Sequence, residues 1–223
     1  CIRDRDARSE APRTNERSVT MARVIVVGTG IAGLITAYRA SAHHDVVLVT
    51  KAEMAESNTK YAQGGIAAVM FPDDSVASHV ADTMRAGAGL CERDAVEVLC
   101  SEGPMRVQEL ISLGVEFDRI NGELARGHEA AHSSRRVIHA GGDATGLAIE
   151  GALLRAVRAL AVETHAYTFM RDLIIETDAD GTPRVTGIDV IAPDGTSRVI
   201  DGDIVVIASG GAGQLYKHTT NPS

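Results

Sequence analysis

Arg23-Val-Ile-Val-Val-Gly-Thr-Gly-Ile-Ala-Gly33 carries an apolar strand into three glycines and then, with almost no polar break, into a helix. Val24 to Val27 has the unbroken β-branched composition of a parallel strand buried on both faces, and Leu34, Ala37 and Tyr38 continue at helical spacing. In that context Gly28 permits a tight turn, Gly30 lets the backbone approach a pyrophosphate, and Gly33 lets the helix pack closely on the strand. The phosphates would then sit on the free N–H groups and positive dipole end of the helix. A glycine-rich strand end also occurs as a plain tight turn; the strand before it and the helix after it favour a dinucleotide here.

The fingerprint does not say which dinucleotide. A second strand, Val46-Val-Leu-Val49, follows at βαβ distance, and a nicotinamide or typical flavin site would end it with an acid on the adenosine ribose, about 20 residues past the glycines. Thr50 and Lys51 stand there instead, and Glu53 comes too late. The ribose must be held differently, which weakens a generic nicotinamide-dehydrogenase reading.

Composition narrows the partners. At 223 residues with 44% hydrophobic and 23% charged side chains, the chain has the make-up of a soluble globular protein of one large or two small domains. Only 3% of residues are aromatic and none is Trp, so there is no stacking platform for single strands, and a net charge of −8 opposes any phosphate backbone. No nucleic-acid partner is expected. No apolar run approaches the ~20 residues that span a bilayer, and the polar start is unlike a signal peptide, so no membrane partner and a cytoplasmic setting are expected. Cys1, Cys91 and Cys100 are odd in number and lack CxxC spacing, which supports neither a disulfide framework nor a metal site. Residues 1–20 are charged and aperiodic and read as a disordered leader or upstream sequence, with Met21 the candidate start.

Beyond the second strand, residues 57–69 lack a period until their apolar end and read as a long functional loop. Helices are expected at about 76–86, 94–100 and 104–113, with Pro104 in a first turn and Gly114 just past the end. Residues 119–143, rich in Gly, His, Arg and Ser, read as a second functional loop. A helix at 145–160 and a short strand at 162–167 follow. Runs at 172–177, 185–191 and 197–201, separated by Asp178-Ala-Asp-Gly181 and Pro193-Asp-Gly195, make an antiparallel meander. A last strand, 204–208, delivers Ser209-Gly210-Gly211. The fold expected is α/β: a Rossmann-like dinucleotide domain with a parallel sheet and an antiparallel β-meander.

Several ordered motifs are more specific than the glycine fingerprint: Tyr61-Ala-Gln-Gly-Gly-Ile-Ala-Ala68, His79-Val-Ala-Asp-Thr-Met-Arg-Ala-Gly-Ala-Gly-Leu-Cys91, His132-Ser-Ser-Arg-Arg-Val-Ile-His-Ala-Gly-Gly-Asp-Ala-Thr-Gly146, and Ala208-Ser-Gly-Gly211 with Thr219-Thr-Asn-Pro222. With Thr50-Lys51 they run in order from Met21 to Ser223, and together they resemble the N-terminal part of the L-aspartate oxidases, in the flavoprotein superfamily of succinate dehydrogenase and fumarate reductase. The resemblance implies FAD, and it makes residues 21–223 an FAD-binding domain lacking its capping domain. It also accounts for the ribose, since this superfamily commonly carries Lys after Ser or Thr where other flavoproteins carry an acid; Lys51 becomes an FAD contact.

By the same carry-over Gly28, Thr29, Gly30, Ile31, Ala32 and Gly33 serve the pyrophosphate. Asn58, Thr59, Lys60, Tyr61, Ala62, Gln63, Gly64 and Gly65 wrap the flavin, and the backbone near Phe169 and Met170 meets the adenine. Membrane-complex relatives carry a covalently bonded His where Asn58 stands, so the resemblance implies non-covalent FAD. Glu129, in Glu129-Ala-Ala-His132, matches the acid that orients the substrate ammonium in a Glu-Gly-Gly-His loop; both glycines are alanine here, which implies an altered or strained backbone if those glycines need φ > 0. His132, Arg135, Arg136 and His139 either help assemble a dicarboxylate pocket or hold this loop. The implied reaction oxidises L-aspartate to iminoaspartate, the first step of NAD biosynthesis, with oxygen or fumarate as acceptor and quinolinate synthase downstream. The resemblance places the family's catalytic Arg and most of its carboxylate ligands beyond Pro222, so a fragment inactive alone is expected. The alternatives are a free-standing FAD module completed by another chain and a piece of a soluble fumarate reductase.

Overall fold

The computed structural model describes residues 21–129 and 131–219; the expected leader at 1–20, Ala130 and the end of the Thr219-Thr-Asn-Pro222 motif lie outside them. β1 (Arg23–Val27), α1 (Ile31–Ala40) and β2 (Asp45–Val49) form the opening βαβ unit. After a long loop come β3 (Ile66–Ala67) and α2 (Val76–Ala86), whose N-cap Ser75 accepts from the Ser78 N–H at 3.2 Å.

The next element corrects the sequence reading. In place of two helices there is one of 20 residues, α3 (Arg93–Ser112), with Pro104 inside it. Pro104 cannot donate to the carbonyl of Cys100, but buried Val96, Cys100, Val107 and Leu110 hold the helix on both sides of that gap. Its end follows expectation: Gly114 at φ 92 donates to Ile111 O at 3.0 Å while the Val115 N–H reaches Leu110 O at 3.0 Å, a Schellman closure sealed by contact between buried apolar residues.

Residues 119–143 are not all loop. β4 (Arg119–Ile120) and β5 (Glu123–Leu124) form a hairpin whose turn, Asn121 at φ 54 and Gly122 at φ 87, has the two positive φ values of a type I′ turn. β6 (Val137–Ile138) follows and pairs antiparallel with β3, so the two loops singled out in the sequence are stitched to each other. Then come α4 (Thr145–Arg158), β7 (Glu163–His165), β8 (Phe169–Thr177), β9 (Pro183–Ile191), β10 (Ser197–Asp201) and β11 (Ile204–Ile207). β8 starts three residues earlier than the run at 172 suggests, with an irregularity between Met170 and Asp172 in its pairing with β9.

The parallel sheet has the order β11-β1-β2-β7, and β10-β9-β8 make a separate antiparallel sheet. Alternation along β1 and β2 explains the layering. Val24, Val26, Val46 and Leu48 face a core shared with Leu34 and Ala37 of α1 and with Ile149 and Leu153 of α4. Ile25, Val27, Val47 and Val49 face the opposite way, onto Ile188, Val190 and Ile200 of the meander. Both faces are covered, which is why these strands read as unbroken apolar runs. Among the described residues no helix is long and apolar enough to cross a membrane, and no further domain caps the strand ends.

Candidate flavin cleft

β1 has β2 on one side and β11, reached only at the end of the chain, on the other. The sheet therefore has a topological switch point at the carboxyl end of β1, where α/β folds open a crevice. A cleft of about 510 Å³ lies there. Gly28 through Ala32, Lys51, Asn58, Thr59, Phe169 and Met170 line it, as do Ser209 to Gly211.

The first glycines act as their spacing predicts. Gly28 has φ 111, and an added Cβ would collide with the Ala208 carbonyl, while one at Gly33 would collide with the Gly28 carbonyl. Gly33 therefore packs beneath the turn and does not line the cleft. At Gly30 the constraint is looser: a Cβ would stand in ordinary contact with the Thr59 hydroxyl at 3.6 Å and with Ser57. α1 has no side-chain cap and no acid in its first turn. The Ile31 N–H donates to Thr59 Oγ1 at 3.1 Å, tying the 57–65 loop to the helix start. Thr29 and Thr50, both buried, bond through their hydroxyls at 3.2 Å and fix the end of β2 that presents Lys51.

The 57–65 loop divides in two. Asn58 and Thr59 face the cleft, with Ser57 at the start of the same loop and Glu56, which sequence reasoning passed over. Lys60, Tyr61, Ala62, Gln63, Gly64 and Gly65 do not line it. Lys60 Nζ and Tyr61 Oη both bond Glu56, at 3.0 and 2.7 Å, and Ala62 O accepts from the Gly146 N–H at 3.1 Å. Gly65 lies against β6, where an added Cβ would be 2.5 Å from Val137 Cγ1 and 2.8 Å from His139 Nε2. That ring also meets Glu129 Oε1 at 2.9 Å. Glu129 is outside the cleft and half exposed, but one imidazole links it to the end of the flavin loop. The backbone beside it is strained: Ala131 has φ 71, the conformation a glycine would adopt freely.

Of the two roles open to Arg136 in sequence, its bonds match the second, holding the loop. Fully buried, it donates to both oxygens of Asp74 at 2.8 Å, to Asp82 Oδ2 at 2.7 Å and to Ser78 Oγ at 2.9 Å. Asp82 Oδ2 also accepts the Ser133 N–H and hydroxyl, each at 2.7 Å. The Ser133 backbone bond, with its hydroxyl and Arg136 behind it, holds the Asp82 carboxyl well below the usual range, and Arg136 lowers that of Asp74. Arg136 is thus spent on clamping the 132–136 segment to α2. Ser78 and Asp82 share one face of α2, and Asp74 stands just before its N-cap at the same four-residue spacing, a signal the sequence contained and the motif reading overlooked.

A switch-point cleft with this glycine turn defines a dinucleotide-binding flavoprotein domain, and the FAD binding domain family model matches residues 23–223: the chain belongs to that family. Among curated relatives it is 45% identical over 205 residues to the L-aspartate oxidase of Streptomyces coelicolor, covering 90% of this chain and 35% of that protein. It is likewise 45% identical over 204 residues to the L-aspartate oxidase of Mycobacterium tuberculosis (90% and 37%) and over 202 residues to the chloroplastic L-aspartate oxidase of Arabidopsis thaliana (88% and 30%). The chain spans about a third of the length of these relatives. Among solved structures, the E. coli quinol fumarate reductase matches with a TM-score of 0.80 at 29% identity, over 91% of this chain and 34% of that one. The apo Sdh1 complex of Mycobacterium smegmatis matches with a TM-score of 0.79 at 29% identity, over 91% and 36%.

The residues present fit FAD. Its pyrophosphate needs backbone donors and no opposing charge, which the glycine turn and the acid-free start of α1 offer, with Thr59 beside the Ile31 N–H and the Lys51 ammonium at the cleft edge.

Proposed function

We propose that this chain forms the FAD-binding part of an enzyme that oxidises L-aspartate to iminoaspartate, the entry reaction of NAD biosynthesis. FAD, when bound, supplies the two-electron acceptor for the hydride leaving the substrate α-carbon. The chain's own part is to bind and orient. The glycine turn from Gly28 to Gly30 and the start of α1 hold the pyrophosphate, Lys51 the adenosine side, Asn58 and Thr59 the flavin, and Phe169 and Met170 the adenine. An amide at Asn58 cannot act as the nucleophile that a histidine provides, so the flavin is held non-covalently. Glu129 attracts the substrate ammonium, and His139 fixes the carboxylate that does so.

The observation that supports this reading is the His139 ring, which bonds Glu129 Oε1 at 2.9 Å and lies beside Gly65 at the end of the flavin loop. Likeness to L-aspartate oxidases supports the substrate, and likeness to a fumarate reductase supports fumarate beside oxygen as acceptor. Quinolinate synthase, which would consume iminoaspartate, and a cytoplasmic setting belong to the same proposal; the plant relatives' names put those proteins in the chloroplast.

The test uses protein expressed from the complete reading frame. Glu129→Gln should raise the KM for aspartate about 10- to 150-fold, the value of a lost charge-assisted hydrogen bond, while fumarate, which lacks an ammonium, binds nearly as before. Equal effects on both ligands would assign Glu129 to loop structure. Acid precipitation of the same preparation should leave the yellow colour in the supernatant, and colour retained in the pellet would refute non-covalent binding.

A further inference from the structure

Arg136 has five N–H donors, and each finds an acceptor. Four go to Asp74, Ser78 and Asp82. The fifth, on Nη1, meets His132 Nδ1 at 3.3 Å. A guanidinium can only donate, so the nitrogen it meets keeps its lone pair, and the single ring proton of His132 sits on Nε2. The tautomer is thus set from the buried side. That Nε2–H lies across the ring from Arg136, on a half-buried side chain, and has no acceptor among the described residues. The His79 ring packs beside it, centroids 5.6 Å apart, without bonding it.

The donor is also fixed in place. The His132 N–H donates to Glu129 O at 3.3 Å, and its carbonyl accepts from His128 Nε2 at 2.6 Å. The next residue, Ser133, is held on Asp82 by its N–H and its hydroxyl. A preorganised N–H therefore stands three residues from the acid that attracts the substrate ammonium. An imidazolium there would compete with that ammonium for Glu129, and a bare ring nitrogen would repel a carboxylate. A neutral N–H does neither, and it suits a carboxylate oxygen.

We propose that His132 is a carboxylate-binding residue of the substrate site: its Nε2–H donates to one carboxylate of the dicarboxylate while Glu129 takes the ammonium, and Arg136 is the positioning residue that holds the donor tautomer. This rests on the reading of Glu129 given above. No proton is transferred. Aspartate and fumarate share their carboxylates, so both depend on His132, whereas only aspartate depends on Glu129.

The experiment uses FAD-loaded protein expressed from the complete reading frame, with fumarate binding followed by perturbation of the flavin spectrum. His132→Asn keeps an acceptor for Arg136 in Oδ1 but has nothing at the Nε2 position. It should raise the aspartate KM and the fumarate Kd together, about 10- to 150-fold, at a near-native thermal midpoint. His132→Gln, whose amide nitrogen reaches the Nε2 position, should recover most of that affinity. Unchanged affinity for either ligand in His132→Asn overturns the assignment, as does an equal loss in His132→Gln. A second readout needs no activity: in two-bond proton–nitrogen correlation spectra of histidine-labelled wild type, with His132 assigned through either variant, Nδ1 should resonate as bare and Nε2 as protonated. A ring protonated on Nδ1 overturns the proposal. Protein that binds fumarate through His132 but does not oxidise aspartate would overturn the proposed function and leave this assignment standing, whereas oxidation at the wild-type KM in His132→Asn overturns this assignment alone.

Discussion

A guanidinium with no exposed surface between two carboxylates is an expensive arrangement, tolerable only because every donor it aims finds an acceptor. Removing Arg136 takes the buried guanidinium from Asp74 and leaves Asp82 with only the exposed Arg85 and Ser133, so Arg136→Leu should cost about 3–5 kcal/mol in chemical denaturation. A loss below about 1 kcal/mol would mean that water reaches the pair. Both carboxyls are held below their unfolded values. Their contribution is therefore complete above about pH 4 and drains away as pH falls through the lowered values. Glu150 has the opposite sign: its burial is least costly below about pH 4.5 and weighs on stability as pH rises through its raised value. The sequence made Arg136 visible and left its role open, because an Arg in a Gly- and His-rich loop can face a substrate or the core. The partners that decide it lie 54 and 62 residues away. Ala131 was more legible: alanine where the family pattern has glycine implied strain, and its φ of 71 carries a cost of about 1–2 kcal/mol.

At the scale of elements, the first strands could be read almost residue by residue, since β1 and β2 owe their sequence to burial that the β-branched runs announce. Pro104 was less cooperative. Its local preference for a first turn is real, but Cys100 and Val107, anchored on either side of it, outweigh one missing hydrogen bond. The β4–β5 hairpin was missed although Asn121-Gly122 is the strongest short hairpin signal, because strands of two residues give no alternation to notice. The contact between α4 and the flavin loop has no local signature at all beyond a glycine. Gly146→Ala should push Thr59 and Ala62 off the helix, and with overpacking of about 1–3 kcal/mol borne by the loop, FAD affinity should fall about 5- to 150-fold. Unchanged affinity in a variant of normal thermal midpoint would show that the loop position does not matter to the cofactor.

On the scale of the whole molecule, the parallel sheet places its first strand in the middle and its last strand beside it, with Val24 opposite Ile204 and Val27 opposite Ile207. The fold class was legible from the order of elements, but this pairing was not, because nothing in an apolar strand names a neighbour 180 residues downstream. It also sets the order in which the protein can come into being. A ribosome adding about 5–20 residues per second needs roughly 10–40 s to travel from β1 to β11. Throughout that interval one side of the central strand has bare N–H and C=O groups, an open template for any other extended chain. The glycine turn is incomplete for as long, since the backbone of Ala208 that closes on Gly28 does not yet exist. Ribosome-bound chains arrested before residue 200 should therefore stay protease-sensitive at β1 and bind no flavin, with protection appearing only after residue 208 clears the exit tunnel; early protection would mean that β1 and β2 are stable by themselves. During synthesis the stretch that will become the most buried part of the fold is the one most in need of a chaperone.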